Sequence, residues 1–334
     1  MNTAPHALKT LNTFGVEAWA QSLHTLHKPE AIAPLLDQHG APDLLLGGGS
    51  NVLLVQQSFQ QVWLNRLMGR TVLARDTRTV RIRLQAGEPW DAAVAWCLAQ
   101  GAFGLENLSL IPGCCGAAPI QNIGAYGVEI AQFIHRVEAM DLNSGAVHHL
   151  AANECDFAYR HSIFRSPEGK RWLILAIELN LSATFQPTLD YPGLRQLDDQ
   201  NAAAELTAQQ IRQAVIALRR SKLPDPSLLG NAGSFFKNPI VASTQLEQLL
   251  SAYPQLPHWP HEQGAKLSAA WLIQHCGLKG YRQGDAAVHA NHALILVNHG
   301  MASGAELWQL AQNIQSTVHQ KTGVRLEPEP QILH

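Results

Sequence analysis

Hydrophobic and polar positions along this chain alternate between a helix-like and a strand-like period, and the changes of period predict its elements. Residues 27–40 have Pro29 near the start of a short helix and Gly40 just past its end. The apolar run at 43–55, broken by three glycines, predicts the strand that follows. Residues 79–90 alternate between apolar and polar side chains, as a half-buried strand does. The N-terminal part is therefore expected to be a β-α-β arrangement followed by a second α/β unit.

The rest of the chain mixes both kinds of element. The helix after the alternating strand is predicted to have Asp91 as its N-cap and Gly101 just past its end. Pro224 and Pro226 stop a later helix, so a domain boundary is expected near 218–226. The remaining predicted elements are strands at 137–143, 146–152, 171–183 and 292–298 and helices at 203–220, 243–253, 265–277 and 303–323.

The composition excludes several classes of protein. A chain of 334 residues predicts two or three packed units, and 46% hydrophobic with 15% charged residues argues against disorder. The 24 Lys and Arg balance the 26 Asp and Glu without a run of like charge, which argues against nucleic acid and membrane as partners. No long apolar stretch and no signal peptide is evident, and the five cysteines fit reduced thiols, so a cytoplasmic location is expected.

Two glycine-rich segments are candidates for a ligand site. In the first, Gly47, Gly48 and Gly49 precede Ser50 and Asn51 between two apolar runs. At such a turn the backbone amides of the glycines can approach a phosphate closely, because no side chain stands in the way. A tight hairpin that needs positive φ explains the same pattern. Neither the dinucleotide-binding fingerprint nor a P-loop sequence occurs in the chain.

The second segment, residues 112–127, consists almost entirely of small residues, which bury little surface and cost conformational entropy. A flat or extended ligand lying on the backbone explains this composition better than packing does, although a glycine-rich turn between domains is an alternative. Its candidate ligand-binding residues are Pro112, Gly113, Gly116, Ala117, Ala118, Gln121, Asn122, Gly124, Tyr126 and Gly127.

Some single residues have both a structural and a chemical interpretation. Ser234 follows glycines at the predicted start of a strand, where serine is usually a cap or turn former. Arg160 lies among aromatic residues, an arrangement that is most often a surface ion pair. Glu327 and Glu329 would ordinarily be solvated carboxylates.

Seven sequence blocks bear on these alternatives: LLLGGGSNVLL, LENLSLIPGCCGAAPIQNIGAYGVEI, CDFAYRHSIFR, KLPDP, GNAGSFFKNP, AKLSAAWLI and LEPEPQIL. In this order and at these separations they resemble the UDP-N-acetylenolpyruvoylglucosamine reductase family, over nearly the whole chain. Two alternatives remain open. One is a different flavin oxidase of the same fold, and the other is a nucleotide-sugar-binding protein that has lost turnover.

The resemblance implies a cytoplasmic, monomeric flavoenzyme of peptidoglycan precursor synthesis with noncovalent FAD and with NADPH as co-substrate. It reduces the enolpyruvyl ether of UDP-N-acetylglucosamine to UDP-N-acetylmuramate, by hydride from flavin N5 to the methylene carbon and a proton to C2. The implied fold is α+β, of the vanillyl-alcohol-oxidase type, with two units that grip FAD and a third that covers the substrate. The expected ranges are 1–70, 71–217 and 218–324, with a tail at 325–334 that returns to the active site.

The resemblance also implies roles for single residues. Ser234 is the proton donor, and Arg160 and Glu329 flank the substrate carboxylate. The two glycine-rich segments form the FAD cradle, together with Ser162. The substrate contacts are Tyr159, Tyr191 in a lid loop that marks the subtype, Lys222, Asn238 and His292.

Two residues depart from the family pattern. Pro330 follows Glu329 where the family usually has Val, and His292 stands where a relative has a substrate-contacting Gln. The second departure leaves that contact open, although His can still donate one hydrogen bond. His289 and His292 are spaced like metal ligands but have no evident third partner, so no metal site is predicted.

Overall fold

The structure is a computed structural model of the chain and describes residues 4–195 and 206–334. Its contacts group the chain into two compact units. Of the described residues, the first unit contains 20–48, 60–195 and 206–221, and the second contains 4–19, 49–59 and 222–334. The finer domain ranges predicted from the sequence stay a prediction.

Both units mix helices and strands. The α-helices include α1 (Ile32–His39), α2 (Trp90–Ala99), α3 (Ala208–Lys222), α4 (Ser243–Ala252), α5 (Ala269–His275) and α6 (Gly304–Thr322), and residues 192–195 are also helical. The strands are β1 (His6–Ala7), β2 (Trp19–Leu26), β3 (Leu44–Leu46), β4 (Val52–Leu54), β5 (Ser58–Asn65), β6 (Arg70–Arg75), β7 (Thr79–Gln85), β8 (Gly124–Ala125), β9 (Val128–Glu129), β10 (Ile134–Asp141), β11 (Val147–Ala151), β12 (Trp172–Ser182), β13 (Gly230–Ser234), β14 (Ile240–Val241), β15 (His258–His261), β16 (Gly264–Leu267), β17 (Arg282–Gln283), β18 (Ala286–Val288), β19 (Ile295–Asn298) and β20 (Gln331–Leu333).

The main sheet of the first unit is antiparallel, with the strand order β11-β10-β12-β7-β6. The predicted alternation in β7 is confirmed, because Val80 and every second residue after it are buried. Trp90 of α2 lies in the same core, and burial of a large apolar side chain stabilises a fold by about 1.5–3 kcal/mol. Cys115 and Ala118 also lie in this core. The glycine-rich segment 112–127 is therefore anchored on the sheet.

A second core of the first unit lies beneath α1. This helix follows a 3₁₀ turn that begins at Pro29, and it ends at Gly40, whose φ is +73°, as the sequence predicts. Ile32 of α1 and Trp63 of β5 are fully buried in this core. β3 pairs in parallel with β5, so this core also supports the strand that ends directly before the glycine turn at 47–51.

The second unit contains a sheet with the order β13-β19-β18-β17. α6 begins with a capping box, in which Ser303 and Glu306 satisfy each other's backbone amides. Leu307 and Ile314 on one face of α6 are fully buried. β20 pairs in parallel with β4 and brings the C-terminal residues beside the strand that follows the glycine turn.

Three local predictions were wrong. α2 begins at Trp90 with Pro89 as its N-cap, so Asp91 lies in the first turn and its carboxylate is used elsewhere. Residues 265–267 end β16 rather than begin a helix, because they pair with β15. Ser234 is the last residue of β13 rather than its first: it pairs with Ile295 of β19 after a register shift between Asn231 and Ser234, where Gly233 has φ of +71°. Part of the helix predicted at 203–220 lies outside the described residues.

Candidate active site

The glycine turn at 47–51 is a place where backbone lies against backbone. A Cβ atom on Gly48 would lie 2.7 Å from the Cα of Gly113, so the two glycine-rich segments are in contact through their main chains. Gly49 has φ of +61°, and its missing side chain is required because a Cβ would overlap the Leu11 carbonyl oxygen. The sulfur of Cys114 occupies the space beside Gly47. The turn therefore needs positive φ at Gly49, but it is not a hairpin, because β3 pairs with β5 and β4 pairs with β20. The exposed Gly48 presents side-chain-free backbone.

The second glycine-rich segment follows an irregular path with several left-handed residues. Asn122 has φ of +47°, and its buried side chain holds the loop. Its Nδ2 donates to Glu129 at 2.8 Å and to the Ala158 carbonyl at 3.1 Å, while its Oδ1 accepts from the Ala131 amide at 3.0 Å. The side chain of Asn122 thus shapes the cradle from within.

Ser162 and Gln121 also make contacts inside the protein. The buried hydroxyl of Ser162 donates to the Ile120 carbonyl at 2.7 Å and accepts from the Phe164 amide at 3.2 Å. Gln121 accepts a hydrogen bond from Arg165 at 3.0 Å. These hydrogen bonds of Ser162 and Gln121, two predicted cofactor residues, therefore support the loop.

These segments fit FAD. A pyrophosphate or a flat ring needs close approach to backbone, and the side-chain-free residues that are not buried provide it: Gly47, Gly48, Gly113, Gly124 and Gly127. Gly49 and Gly116 are buried, so they shape the cradle through packing. Gly116 and Gly124 have no room for a Cβ, since one would lie 2.5 Å from the Cβ of Ala86 and 2.9 Å from the Cγ of Glu129, respectively.

Tyr159 and Arg160 form the tip of a tight turn. The backbones of Ala158 and His161 hydrogen bond to each other in both directions, at 3.2 and 3.1 Å. Arg160 is left-handed, with φ of +53°, where glycine is usually found. Its guanidinium donates to the Gly124 carbonyl at 3.0 Å and lies 5.2 Å from the ring centroid of Tyr159. A strained arginine beside the glycine-rich segment is typical of a functional position.

In the second unit, three predicted site residues from distant segments come together. Ser234 ends β13, and the Phe235 carbonyl beside it accepts the Glu329 amide at 2.8 Å. The Nδ2 of Asn51 donates to the Glu329 carbonyl at 3.3 Å, and the Gln331 amide donates to the Asn51 carbonyl at 2.9 Å. Ser234 and Glu329, 95 positions apart in the sequence, are therefore neighbours across a backbone bridge.

The predicted substrate contacts of the second unit differ in their surroundings. Burial, together with the nearby positive charge of Lys222, holds the pKa of His292 below its usual value. The Nδ1 of His292 accepts from the Leu294 amide at 3.4 Å. The Oδ1 of Asn238 accepts a hydrogen bond from the Ala269 amide at 3.0 Å, at the start of α5. The Nδ2 of Asn238 is therefore the atom that would donate a hydrogen bond to a ligand.

The predicted lid residue Tyr191 packs on another predicted site residue of the first unit. Its ring lies edge-to-face on Tyr126, with centroids 4.8 Å apart and an interplanar angle of 87°. Tyr126 is left-handed, with φ of +52°, and the Asn107 amide nitrogen donates to both the Tyr126 and Thr188 carbonyls. Burial raises the pKa of Tyr126, with the nearby Arg219 opposing the effect.

Sequence reasoning missed a set of charged residues behind the cradle. Asp91, expected as a cap, instead pairs with Arg212 of α3. Arg219 of the same helix bonds to the Leu110 carbonyl. The available signal was the spacing of the two arginines, since residues seven apart lie on one helix face. Among residues 4–195 and 206–334, no group of three His, Cys, Asp or Glu is suited to a metal ion, and no helix has the length and apolar character needed to cross a bilayer.

Comparison with known proteins identifies the family. Residues 225–333 match the family described as UDP-N-acetylenolpyruvoylglucosamine reductase, C-terminal domain, and residues 26–151 match an FAD binding domain. The UDP-N-acetylenolpyruvoylglucosamine reductase of Pseudomonas putida is 45% identical, over 98% of this chain and 97% of the relative. The chain belongs to the UDP-N-acetylenolpyruvoylglucosamine reductase family. A second relative, from Xanthomonas axonopodis pv. citri, is 47% identical over 98% of this chain and 94% of its own.

The reductase from Thermus caldophilus has a similar solved structure, with a TM-score of 0.67 and 25% identity over 99% of this chain and 100% of the other. The predicted α+β fold of the vanillyl-alcohol-oxidase type is confirmed. Membership of the reductase family makes the chain an oxidoreductase with FAD as cofactor and NADPH as co-substrate, acting on small molecules. It carries out the enolpyruvyl reduction of peptidoglycan precursor synthesis.

Proposed function

We propose that Ser234, Arg160 and Glu329 carry out the proton and charge chemistry of the enolpyruvyl reduction in this protein. FAD, when bound, supplies the hydride that it has received from NADPH. The observation that supports the proposal most directly is the backbone bridge between Phe235 and Glu329, which holds the hydroxyl-bearing end of β13 beside the C-terminal segment.

Ser234 donates the proton that completes the product. Addition of hydride to the methylene carbon moves negative charge toward C2 and the substrate carboxylate, so C2 becomes strongly basic. A serine hydroxyl is a weak acid, and its position matters more than its acidity when it meets such a carbon. The end of a strand bent by the Gly233 bulge is a defined position for this hydroxyl.

Arg160 binds the substrate carboxylate. Its planar guanidinium matches a carboxylate in geometry and stabilises the charge that develops there. The tight turn at Ala158–His161 and the bond to the Gly124 carbonyl preorganise this side chain.

Glu329 orients the neighbouring groups around the substrate carboxylate. Asn51 fixes its main chain through the bond to the Glu329 carbonyl.

The predicted binding residues complete the proposal. Gly47–Asn51, residues 112–127 and Ser162 hold FAD noncovalently, and Tyr159, Tyr191, Lys222, Asn238 and His292 contact the substrate. We also propose that the enzyme is cytoplasmic, since all five cysteines are free and buried, as in a reducing compartment. We further propose that it is a monomer, as the family resemblance implies. Light scattering of the purified holoenzyme tests the monomer.

Measurement of the two half-reactions separately tests the role of Ser234. Ser234→Ala should keep its FAD and be reduced by NADPH at a near-normal rate. Reoxidation of the reduced enzyme by the enolpyruvyl substrate should slow by about 10²–10⁴-fold, the usual contribution of a general acid. Ser251→Ala, at an exposed position in α4, is the matched control and should leave both steps unchanged. Equal slowing of both steps in Ser234→Ala would rule out a role confined to proton donation.

A further inference from the structure

The backbone of Leu110 is held on both sides by charged side chains. Leu110 is left-handed, with φ of +57°, a conformation that a leucine rarely adopts. Its amide donates to Oδ1 of Asp91 at 2.6 Å, and its carbonyl accepts from Nε of Arg219 at 3.1 Å. A disfavoured conformation persists only where its surroundings determine it, and here two side chains do so.

The carboxylate of Asp91 is itself fixed by a second arginine of α3. Arg212, of which only 9% is exposed, donates from both terminal nitrogens to the two Asp91 oxygens, at 2.5 and 2.8 Å. Such a two-bond fork fixes orientation as well as charge. Although burial opposes it, the bonds from Arg212 and the Leu110 amide bring the pKa of Asp91 below its usual value. α2 and α3 are thereby joined through the backbone of Leu110.

The chain enters the cradle segment immediately after Leu110. Three residues after Leu110, the Gly113 carbonyl accepts the Trp90 amide at 3.0 Å, at the start of α2. Gly113 is also the residue whose Cα lies against Gly48. The clamp on Leu110 and the bond from Trp90 to Gly113 therefore hold the two ends of residues 110–113, the stretch through which the chain enters the cradle.

We propose that Asp91, Arg212 and Arg219 are positioning residues that hold Leu110 and thereby set the path of residues 112–127 against FAD. The inference rests on the proposed function, in which that segment forms the cradle. If these ion pairs only stabilised the fold, their loss would lower the free energy of unfolding without changing the affinity of the folded protein for FAD.

The test measures two properties of the protein without turnover. Arg212→Met removes the fork, and Arg220→Met, at an exposed position of the same helix, is the matched control. The Kd for FAD, measured by flavin fluorescence on the apoprotein, should rise about tenfold in Arg212→Met, the change expected for one charge-assisted hydrogen bond. Hydrogen exchange of the Leu110, Ile111 and Gly113 amides in the apoprotein should accelerate, while exchange in the centre of α6 stays the same.

Conservative variants keep the test decisive where the methionine variant does not fold. Arg212→Lys and Arg219→Lys retain the charge but lose the planar geometry, and each should raise the Kd for FAD and accelerate exchange at Leu110. A Kd within twofold of the wild type in the folded variants, even with a lower melting temperature, would overturn the positioning role. Failure of the wild-type protein to bind FAD would instead contradict the proposed function, so the two failures are distinguishable.

Discussion

Two substitutions at Arg160 separate the chemistry of its side chain from the strain of its backbone. Arg160 has φ of +53° at the tip of the turn closed by Ala158 and His161. This backbone conformation costs a residue with a Cβ atom roughly 1–2 kcal/mol of conformational free energy, and it does not cost glycine that amount. Arg160→Ala and Arg160→Gly both remove the guanidinium and its bond to the Gly124 carbonyl, but only the glycine variant also relieves the strain.

The expected magnitudes follow from this difference. Both variants should slow reoxidation of the reduced enzyme by the enolpyruvyl substrate by about 10²–10³-fold, or about 3–4 kcal/mol, as loss of one preorganised donor to a developing charge does. The free energy of unfolding of Arg160→Gly should be about 1 kcal/mol higher than that of Arg160→Ala. The strain relief is partly offset by the greater freedom of glycine in the unfolded chain.

Stopped-flow absorbance of the flavin band measures the rate, and urea denaturation measures the stability. Asp156→Gly is the matched control, because Asp156 is also left-handed, with φ of +46°, and has no proposed role. It should leave the reoxidation rate unchanged. A glycine variant with wild-type reoxidation would refute the carboxylate-binding role of Arg160. Equal stabilities of the alanine and glycine variants would refute the argument from strain.

Three further predictions concern a buried acid, the glycine turn and the lid. Burial raises the pKa of Glu106, which is 3% exposed and whose Oε1 has no hydrogen-bond partner in the structure. The folded state therefore keeps a proton that the unfolded chain loses near pH 4.3, so this contribution to stability is full at lower pH and is lost as the pH rises through the folded pKa. Glu106→Gln should remove that slope, seen as a stability gain over wild type in urea that grows as the pH rises above about 4.3 toward the raised pKa of Glu106; a pH-independent difference would contradict the assignment. Gly49→Ala should destabilise the protein more than Gly15→Ala, since both glycines have positive φ but only at Gly49 does a Cβ overlap another atom; urea denaturation that gives equal losses would contradict this. Tyr191→Phe keeps the ring on Tyr126 and loses the hydroxyl, so we expect a raised KM for the enolpyruvyl substrate with normal flavin reduction by NADPH, whereas an unchanged KM would leave Tyr191 as a packing residue.

The local elements and the family were determined by the sequence. The alternation in β7, the start of α1 after Pro29 and its end at Gly40 depend on neighbouring residues, because periodicity and caps are short-range properties. The glycine-rich segments indicated a backbone-lined ligand site for the same reason. The family blocks then specified FAD, NADPH and the reaction, since a motif carries its chemistry in residue types and spacing.

Tertiary structure alone decided which residues support one another. The pairing of Phe235 with Glu329 and the clamp on Leu110 join positions about 90 and 110 residues apart, and a side chain's partner over such a separation depends on how the strands and helices pack. Asp91 illustrates the difference. Its position before an apolar helix predicts a cap, but the packing of α3 places Arg212 beside it, and a charged, two-bond partner outcompetes a local one.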